Sequence, residues 1–254
     1  MDLRNRTAVV TGGGTGIGAA VSTALAAAGV TRVLVTYSTS GEAAEQTVDS
    51  LRAEGVDAAT VAVDVRMDED VRSMAQQARD QFGGCDVLVN NAGTTSWVPT
   101  SDLEGVDDSM WHDILDVNVV GAFRCARALA PDLRHAGGAV VNIGSISAHR
   151  GIGSSIPYAV SKAALVQLTR SLAVALAPEV RVTSVSPGTV DTRWQRGHHG
   201  DEAFEELITR EQAVAPLART VTPADVADAV LGLLRADMVT GVDVVVDGGK
   251  HVTY

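Results

Sequence analysis

Residues 11–18 read Thr11-Gly12-Gly13-Gly14-Thr15-Gly16-Ile17-Gly18, and their setting decides the fold. The strand-like run Ala8-Val9-Val10 comes just before them. Ile17, Val21, Ala24, Leu25 and Ala28 follow as an apolar stripe at helical spacing, ended by Gly29 at a C-cap position. The tight turn between strand and helix needs backbone angles that side chains resist. A phosphate can approach such a main chain only where no Cβ intrudes. The helix that opens there offers unpaired N–H groups and the positive end of its dipole. A pyrophosphate-bearing dinucleotide is the ligand class that fits.

The same alternation runs through the rest of the chain. Strand candidates are Ala8–Val10, Arg32–Tyr37, Ala58–Val65, Asp86–Asn90, Ala139–Ile143, Arg181–Ser186 and Asp243–Val246. Most are continuous runs of Val, Ile, Leu and Ala, as parallel strands buried on both faces require. Helical stretches lie between them. Leu165, Leu168, Leu172 and Leu176 form one stripe, stopped by Pro178. Another runs from Ala224 to Leu234 and is entered through Thr222-Pro223, an N-cap followed by an N1 proline. The pattern predicts an α/β fold of doubly wound, Rossmann type: a seven-stranded parallel sheet with helices on both faces. A single domain over residues 1–254 is expected, with a substrate-loop insertion near 193–216, where periodicity is weak and Gly197-His198-His199-Gly200 suggests mobility.

Composition excludes several other classes. With 46% hydrophobic residues the chain is too aliphatic for disorder, and two cysteines cannot staple 254 residues. Aromatics make up only 4%, so Ala, Val and Leu must build the core. A net charge of -11 argues against nucleic acid, whose phosphates need a basic face. The most apolar stretch, Ala163 to Ala177, is interrupted by Gln167, Thr169, Arg170 and Ser171, so no membrane span is expected. The N-terminus has no apolar signal core, which predicts a cytoplasmic protein.

The glycine spacing Thr-Gly-x-x-x-Gly-x-Gly resembles that of the short-chain dehydrogenase/reductase family, and further motifs follow in the family's order. Asn90-Asn91-Ala92-Gly93 comes after the fourth strand, and Asn118 falls where the family carries a helix asparagine. Ser145 precedes Tyr158-Ala159-Val160-Ser161-Lys162 by the family's thirteen residues. Pro187-Gly188-Thr189-Val190-Asp191-Thr192 and Asp247-Gly248-Gly249 complete the series, so the resemblance covers essentially the whole chain.

Tyr158 and Lys162 lie one helical turn apart and share a face. A phenol with a pKa near ~10 is a poor proton carrier at neutral pH, and a neighbouring ammonium is expected to lower it. The resemblance implies catalytic roles for Asn118, Ser145, Tyr158 and Lys162. Tyr158 gives a proton to a carbonyl oxygen, Ser145 steadies that oxygen, and Lys162 tunes Tyr158 and holds the nicotinamide ribose. Asn118 holds a water that links Lys162 to solvent. Ser147 is the nearest rival to Ser145, at a spacing of eleven to Tyr158.

The resemblance also implies cofactor contacts from Gly12, Gly14, Thr15, Gly16, Ile17, Gly18, Tyr37, Ser38, Thr39, Asp64, Val65, Asn91, Ala92, Gly93, Pro187, Gly188, Val190 and Thr192, besides Tyr158 and Lys162. Family members that use NAD carry an acid at the end of the second strand. Here Tyr37 stands there, followed by Ser38, Thr39 and Ser40, with no carboxylate before Glu42. That favours NADP(H), with NAD(H) the alternative. Relatives that use NADP place Arg or Lys in the glycine loop or after the second strand, whereas Thr15 and Ser38 occupy those positions.

The expected reaction moves a hydride between nicotinamide and a carbonyl or alcohol, in the ketoreductase direction. Within the family the chain resembles 3-oxoacyl-(acyl carrier protein) reductases. The substrate is a small ketone, an alcohol or an acyl thioester. An NAD-linked sugar or steroid alcohol dehydrogenase and a non-catalytic dinucleotide sensor are the alternatives. Trp97, Trp111, Trp194, His198, His199 and Phe204 either wall the substrate pocket or pack the lid. No metal is expected, because His198-His199 lacks a third ligand at a suitable spacing. A homotetramer, or a dimer, is expected through the helices bearing Asn118 and Tyr158.

Overall fold

Val, Ala and Leu runs without polar alternation can only be satisfied by cover on both sides, and the computed structural model, which describes residues 1–253, supplies it. In chain order the elements begin β1 (Thr7–Val10), α1 (Gly16–Ala27), β2 (Arg32–Tyr37), α2 (Gly41–Ala53), β3 (Asp57–Ala62), α3 (Asp68–Phe82) and β4 (Val87–Asn90). Next come α4 (Asp108–Leu115), a π-helical turn (Asp116–Gly121), α5 (Ala122–Ala136), β5 (Ala139–Ile143) and α6 (Ile156–Ala175). The chain finishes with β6 (Arg181–Pro187), α7 (Arg193–His199), α8 (Asp201–Val214), α9 (Pro223–Arg235) and β7 (Asp243–Val246).

All strands run parallel in the order β3-β2-β1-β4-β5-β6-β7. Val9 of β1 pairs with Leu34 of β2 on one side and Leu88 of β4 on the other. Every residue of β1, β4 and β5 is buried. Val10, Val21, Leu25, Val226, Val230 and Leu234 belong to the core under α1, α2 and α9. Val9, Leu88, Met74, Leu129 and Leu172 belong to the opposite core, under α3, α5 and α6. The strand order reverses between β1 and β4, so a crevice opens there at the carboxyl ends of the strands. No helix is long and apolar enough to cross a membrane.

Two expectations needed correction. The third strand stops at Ala62 rather than Val65, because the Asp64 amide turns to Asp70 Oδ2 of α3 at 3.1 Å and leaves the ladder. Residues 193–216 are not an irregular loop but two helices, α7 and α8, separated by Gly200 at φ +76°. Cys85 and Cys125 are buried, and burial pushes the Cys125 thiol up to about 12, so both are inert core residues.

The Thr222 cap is more elaborate than its sequence shows. Thr222 Oγ1 accepts the Asp225 amide, while Asp225 Oδ2 accepts the Thr222 amide at 2.8 Å, forming a capping box. Arg219 clamps the same carboxylate through two bonds of 2.7 Å. This fixes the start of α9, which shares a core with α1 beside the glycine turn. Thr222→Ala should therefore cost about 1 kcal/mol, measured as a lower urea midpoint with an unchanged m-value.

Candidate active site

The glycine turn is held by the strand beside it. Thr11 Oγ1 accepts the amides of Asn91 and Ala92, both at 3.0 Å, and Asn91 Nδ2 donates to the carbonyls of Thr11 (3.0 Å) and Gly12 (2.9 Å). Gly12 and Gly16 take φ values of +61° and +52°, which a side chain would strain. A Cβ on Gly18 would lie 2.6 Å from Asn91 Nδ2, so this glycine serves close packing inside the turn. Thr15, the N-cap of α1, makes no side-chain cap, which leaves the first-turn amides for a ligand. A bare, donor-rich cradle that a Cβ would fill suits a pyrophosphate.

One cleft of about 1360 Å³ runs along the carboxyl edge of the sheet from this turn. Of the residues expected to contact cofactor, Gly12, Thr15, Gly16, Ile17, Tyr37, Ser38, Thr39, Asp64, Val65, Asn91, Ala92, Gly93, Pro187, Gly188, Val190 and Thr192 all line it. Gly14 and Gly18 do not. A Cβ on Gly14 would meet Ala44 Cα at 2.7 Å, so this residue packs the glycine turn against α2. Asp64 is not a lone carboxylate: Arg66 binds it at 2.7 Å and holds its pKa below the ordinary value. Tyr37 lies against Gly41, the first residue of α2.

Further along the cleft are Ser145, Tyr158 and Lys162. Ser145 follows β5 and caps a short 3₁₀ turn, Ile146–His149, accepting the Ser147 amide at 3.2 Å. Ser147 therefore supports Ser145 through its backbone. Tyr158 is in the first turn of α6, whose N-cap Ser155 accepts the Tyr158 amide at 3.3 Å. Lys162 lies one turn on, buried, with Nζ donating to the Ile143 carbonyl at 2.9 Å.

The protein surroundings alone do not produce the expected lowering of the Tyr158 pKa. Part of the ring faces the cleft, yet the protein around it desolvates the phenol and pushes the pKa up to about 12, against a smaller downward pull from a Ser145 hydrogen bond. The Lys162 ammonium stands 5.6 Å from the ring centroid and is directed to the Ile143 carbonyl rather than to the phenol oxygen. Burial also draws Lys162 down to about 8.

Asn118 lies off the cleft, buried in the π-helical turn between α4 and α5. Its Oδ1 accepts the Thr94 amide at 2.8 Å, and its Nδ2 donates to the Thr94 carbonyl (3.0 Å) and Ser161 Oγ (2.9 Å). Ser161 in turn donates to the Tyr158 carbonyl at 2.7 Å. The asparagine thus ties the loop after β4 to the helix turn that presents Tyr158.

Residues 12–251 match a family model described as enoyl-(acyl carrier protein) reductase. The chain belongs to the short-chain dehydrogenase/reductase family. It is 42% identical to a Streptomyces violaceoruber protein named as ketoacyl reductase 2 of the granaticin polyketide synthase, over 96% of each chain. It is 34% identical to 3-oxoacyl-(acyl-carrier-protein) reductase of Staphylococcus aureus, covering 97% of this chain and 98% of the relative. A solved Sinorhizobium meliloti structure described as a short-chain alcohol dehydrogenase superposes with TM-score 0.89 at 35% identity, over 99% of this chain and 98% of that one.

In this dehydrogenase/reductase the outer wall of the cleft comes from α7 and α8. Trp194 stands 6.5 Å from the Tyr158 ring, Trp97 stacks on His198 at 3.9 Å, and Trp97 and Trp194 are 6.0 Å apart. Phe204 is buried lid packing, whereas Trp111 does not line the cleft. Arg196 binds Asp191 at 2.7 Å and Glu205 at 2.8 Å, pinning α7 to α8. Sequence reading missed this clamp, since its five-residue and nine-residue spacings follow no single helix face. Among the described residues, no three His, Cys, Asp or Glu side chains are grouped to hold a metal.

Gly18→Ala tests the turn. The added methyl must displace backbone or Asn91, an overpacking cost of about 1–3 kcal/mol. A lower melting temperature together with lost dinucleotide binding is the expected outcome, read by calorimetry and by ligand titration.

Proposed function

We propose that this chain is an NADP(H)-dependent ketoreductase. The observation that carries the reading is the convergence of Ser145, Tyr158 and Lys162 on a cleft that also contains the glycine turn. The cofactor would supply a hydride to the carbonyl carbon. The rest of the chemistry falls to the protein: the Ser145 hydroxyl donates a hydrogen bond to the substrate oxygen, and Tyr158 Oη transfers its proton there as charge develops. Hydride at carbon and proton at oxygen together give the alcohol. A phenol held protonated by burial suits this direction, because reduction consumes an acid and oxidation needs phenolate. Lys162 keeps a positive charge behind the phenol as it loses its proton and would hold the nicotinamide ribose. Asn118 acts as a positioning residue that fixes α6 through Ser161; its side chain is fully engaged, so a relay water would have to be held by its main chain.

The absence of an acid after β2 supports NADP(H), with the hydroxyls of Ser38 and Thr39 open on the cleft. The relatives named for ketoacyl reduction support a β-ketoacyl thioester or a small ketone as substrate. We also propose a tetramer or dimer built through α5 and α6, which expose Phe123 and Val160 beside the small residues Ala159, Ala163 and Ala164. Sedimentation at micromolar concentration that finds only monomer would refute this.

Three kinetic measurements test this reading. With a ketone panel, kcat/KM should favour NADPH over NADH, and Tyr158→Phe should lower kcat by ~10²–10⁴-fold; preference for NADH would overturn the cofactor assignment. The pH profile follows from Lys162. Its charge is present below about 8 and lost above it, so ketone reduction should decline as pH rises through that value. A rate that stays flat to pH 10 would exclude a role for the Lys162 charge.

A further inference from the structure

Cations along the cleft are mostly committed. Arg66 is bound to Asp64, Lys250 to Glu211, and Lys162 to the Ile143 carbonyl. Arg193 differs: among the described residues it makes no hydrogen bond or ion pair, and its side chain is exposed. It is the first residue of α7, directly after Thr192. A Cβ on Gly16 would lie 3.3 Å from Thr192 Cγ2, which puts the start of the lid helix against the start of α1. Arg193 lines the main cleft and also a second crevice shared with Gly14, Thr15 and Gly16. An uncommitted guanidinium therefore stands beside the uncapped terminus suited to a pyrophosphate.

The position answers a difficulty the sequence raises. The turn from Thr11 to Gly18 contains no cation, and the whole chain carries a net charge of -11. Half a charge from a helix terminus does not offset two phosphates in such a field. A planar guanidinium can bind two phosphate oxygens at once.

We propose that Arg193, supplied by the lid helix, binds the cofactor pyrophosphate. This rests on the dinucleotide reading of the cleft and adds a contact that the glycine turn itself does not contain. Because the pyrophosphate is common to both cofactors, Arg193 contributes affinity without choosing between them. Selection against NAD(H) rests instead with Tyr37, Ser38 and Thr39.

Equilibrium titration of the intact protein tests this without turnover. NADPH, NADH and adenosine 2′-monophosphate, which lacks a pyrophosphate, are titrated by calorimetry into wild type, Arg193→Gln and Arg193→Lys. Arg193→Gln should weaken NADPH and NADH about equally, by ~10-fold or ~1.4 kcal/mol, and leave the monophosphate unchanged. Arg193→Lys should recover part of the loss, and added salt should weaken wild type more steeply than the glutamine variant. Unchanged dinucleotide affinity in Arg193→Gln overturns the assignment. So does a loss confined to NADPH and the monophosphate, which would move the contact to the 2′-phosphate. Failure of wild type to bind either dinucleotide is a separate result and removes the oxidoreductase reading itself. The side chain is exposed and makes no hydrogen bond or ion pair among the described residues, so equal melting temperatures for the three proteins are expected.

Discussion

Thr11 Oγ1 receives two amides from the segment after β4, and Asn91 returns two bonds to the carbonyls of the glycine turn. This reciprocal contact crosses the junction where the strand order reverses. It makes the turn rigid without occupying the amides that open α1. Backbone polar groups near a buried junction must be satisfied somewhere, and here one hydroxyl and one amide side chain satisfy the inner ones. The outer ones remain for a ligand. The cleft exists because the sheet fans into helices on opposite faces at this junction, and it keeps its shape because Thr11 and Asn91 hold its floor.

The second half of the site depends on a similar economy. Asn118 has one acceptor and two donor hydrogens, and Thr94 and Ser161 use them all. It sits in a π-helical turn, where the helix path widens between α4 and α5. Ser161 passes the constraint to the Tyr158 carbonyl. Tyr158 is thereby fixed from its backbone, which leaves the phenol free to act. The neighbouring Lys162 is fixed from its head group by the Ile143 carbonyl at the end of β5. The loop after β4, the turn between α4 and α5, and the end of β5 thus all brace α6 around Tyr158.

The sequence made the sheet legible because each strand is a contiguous apolar run, and such runs have few alternatives to two-sided burial. Arg32–Tyr37, Ala139–Ile143 and Asp243–Val246 have the bounds their residues suggest. The site motifs were legible through spacing, which survives as long as turn and helix geometry are fixed. What escaped notice depends on side chains meeting across elements. Asp64 reads as an exposed acid until the local turn brings Arg66 onto it. The lid reads as loop because its apolar stripe is thin, and Arg196 bound to Asp191 and Glu205 holds its two helices instead. The Tyr158 pKa went astray for a related reason: spacing reveals a lysine one turn away but gives no measure of desolvation.

That last difference bears on how the charge pair works. A lysine close to a phenol in water would stabilise phenolate, and the tyrosine would be a ready base. Burial changes both partners in the direction of neutrality, Tyr158 up to about 12 and Lys162 down to about 8. At neutral pH the phenol then holds its proton firmly while the ammonium remains charged, the protonation state that proton donation to a carbonyl oxygen requires. The low-dielectric setting that holds the proton on Tyr158 also strengthens its attraction to any oxygen that becomes anionic beside it. Desolvation therefore favours the acid role over the base role at the same residue. Under the proposed mechanism, packing around α6 therefore bears on the acid role of Tyr158 as much as the identity of its neighbours does.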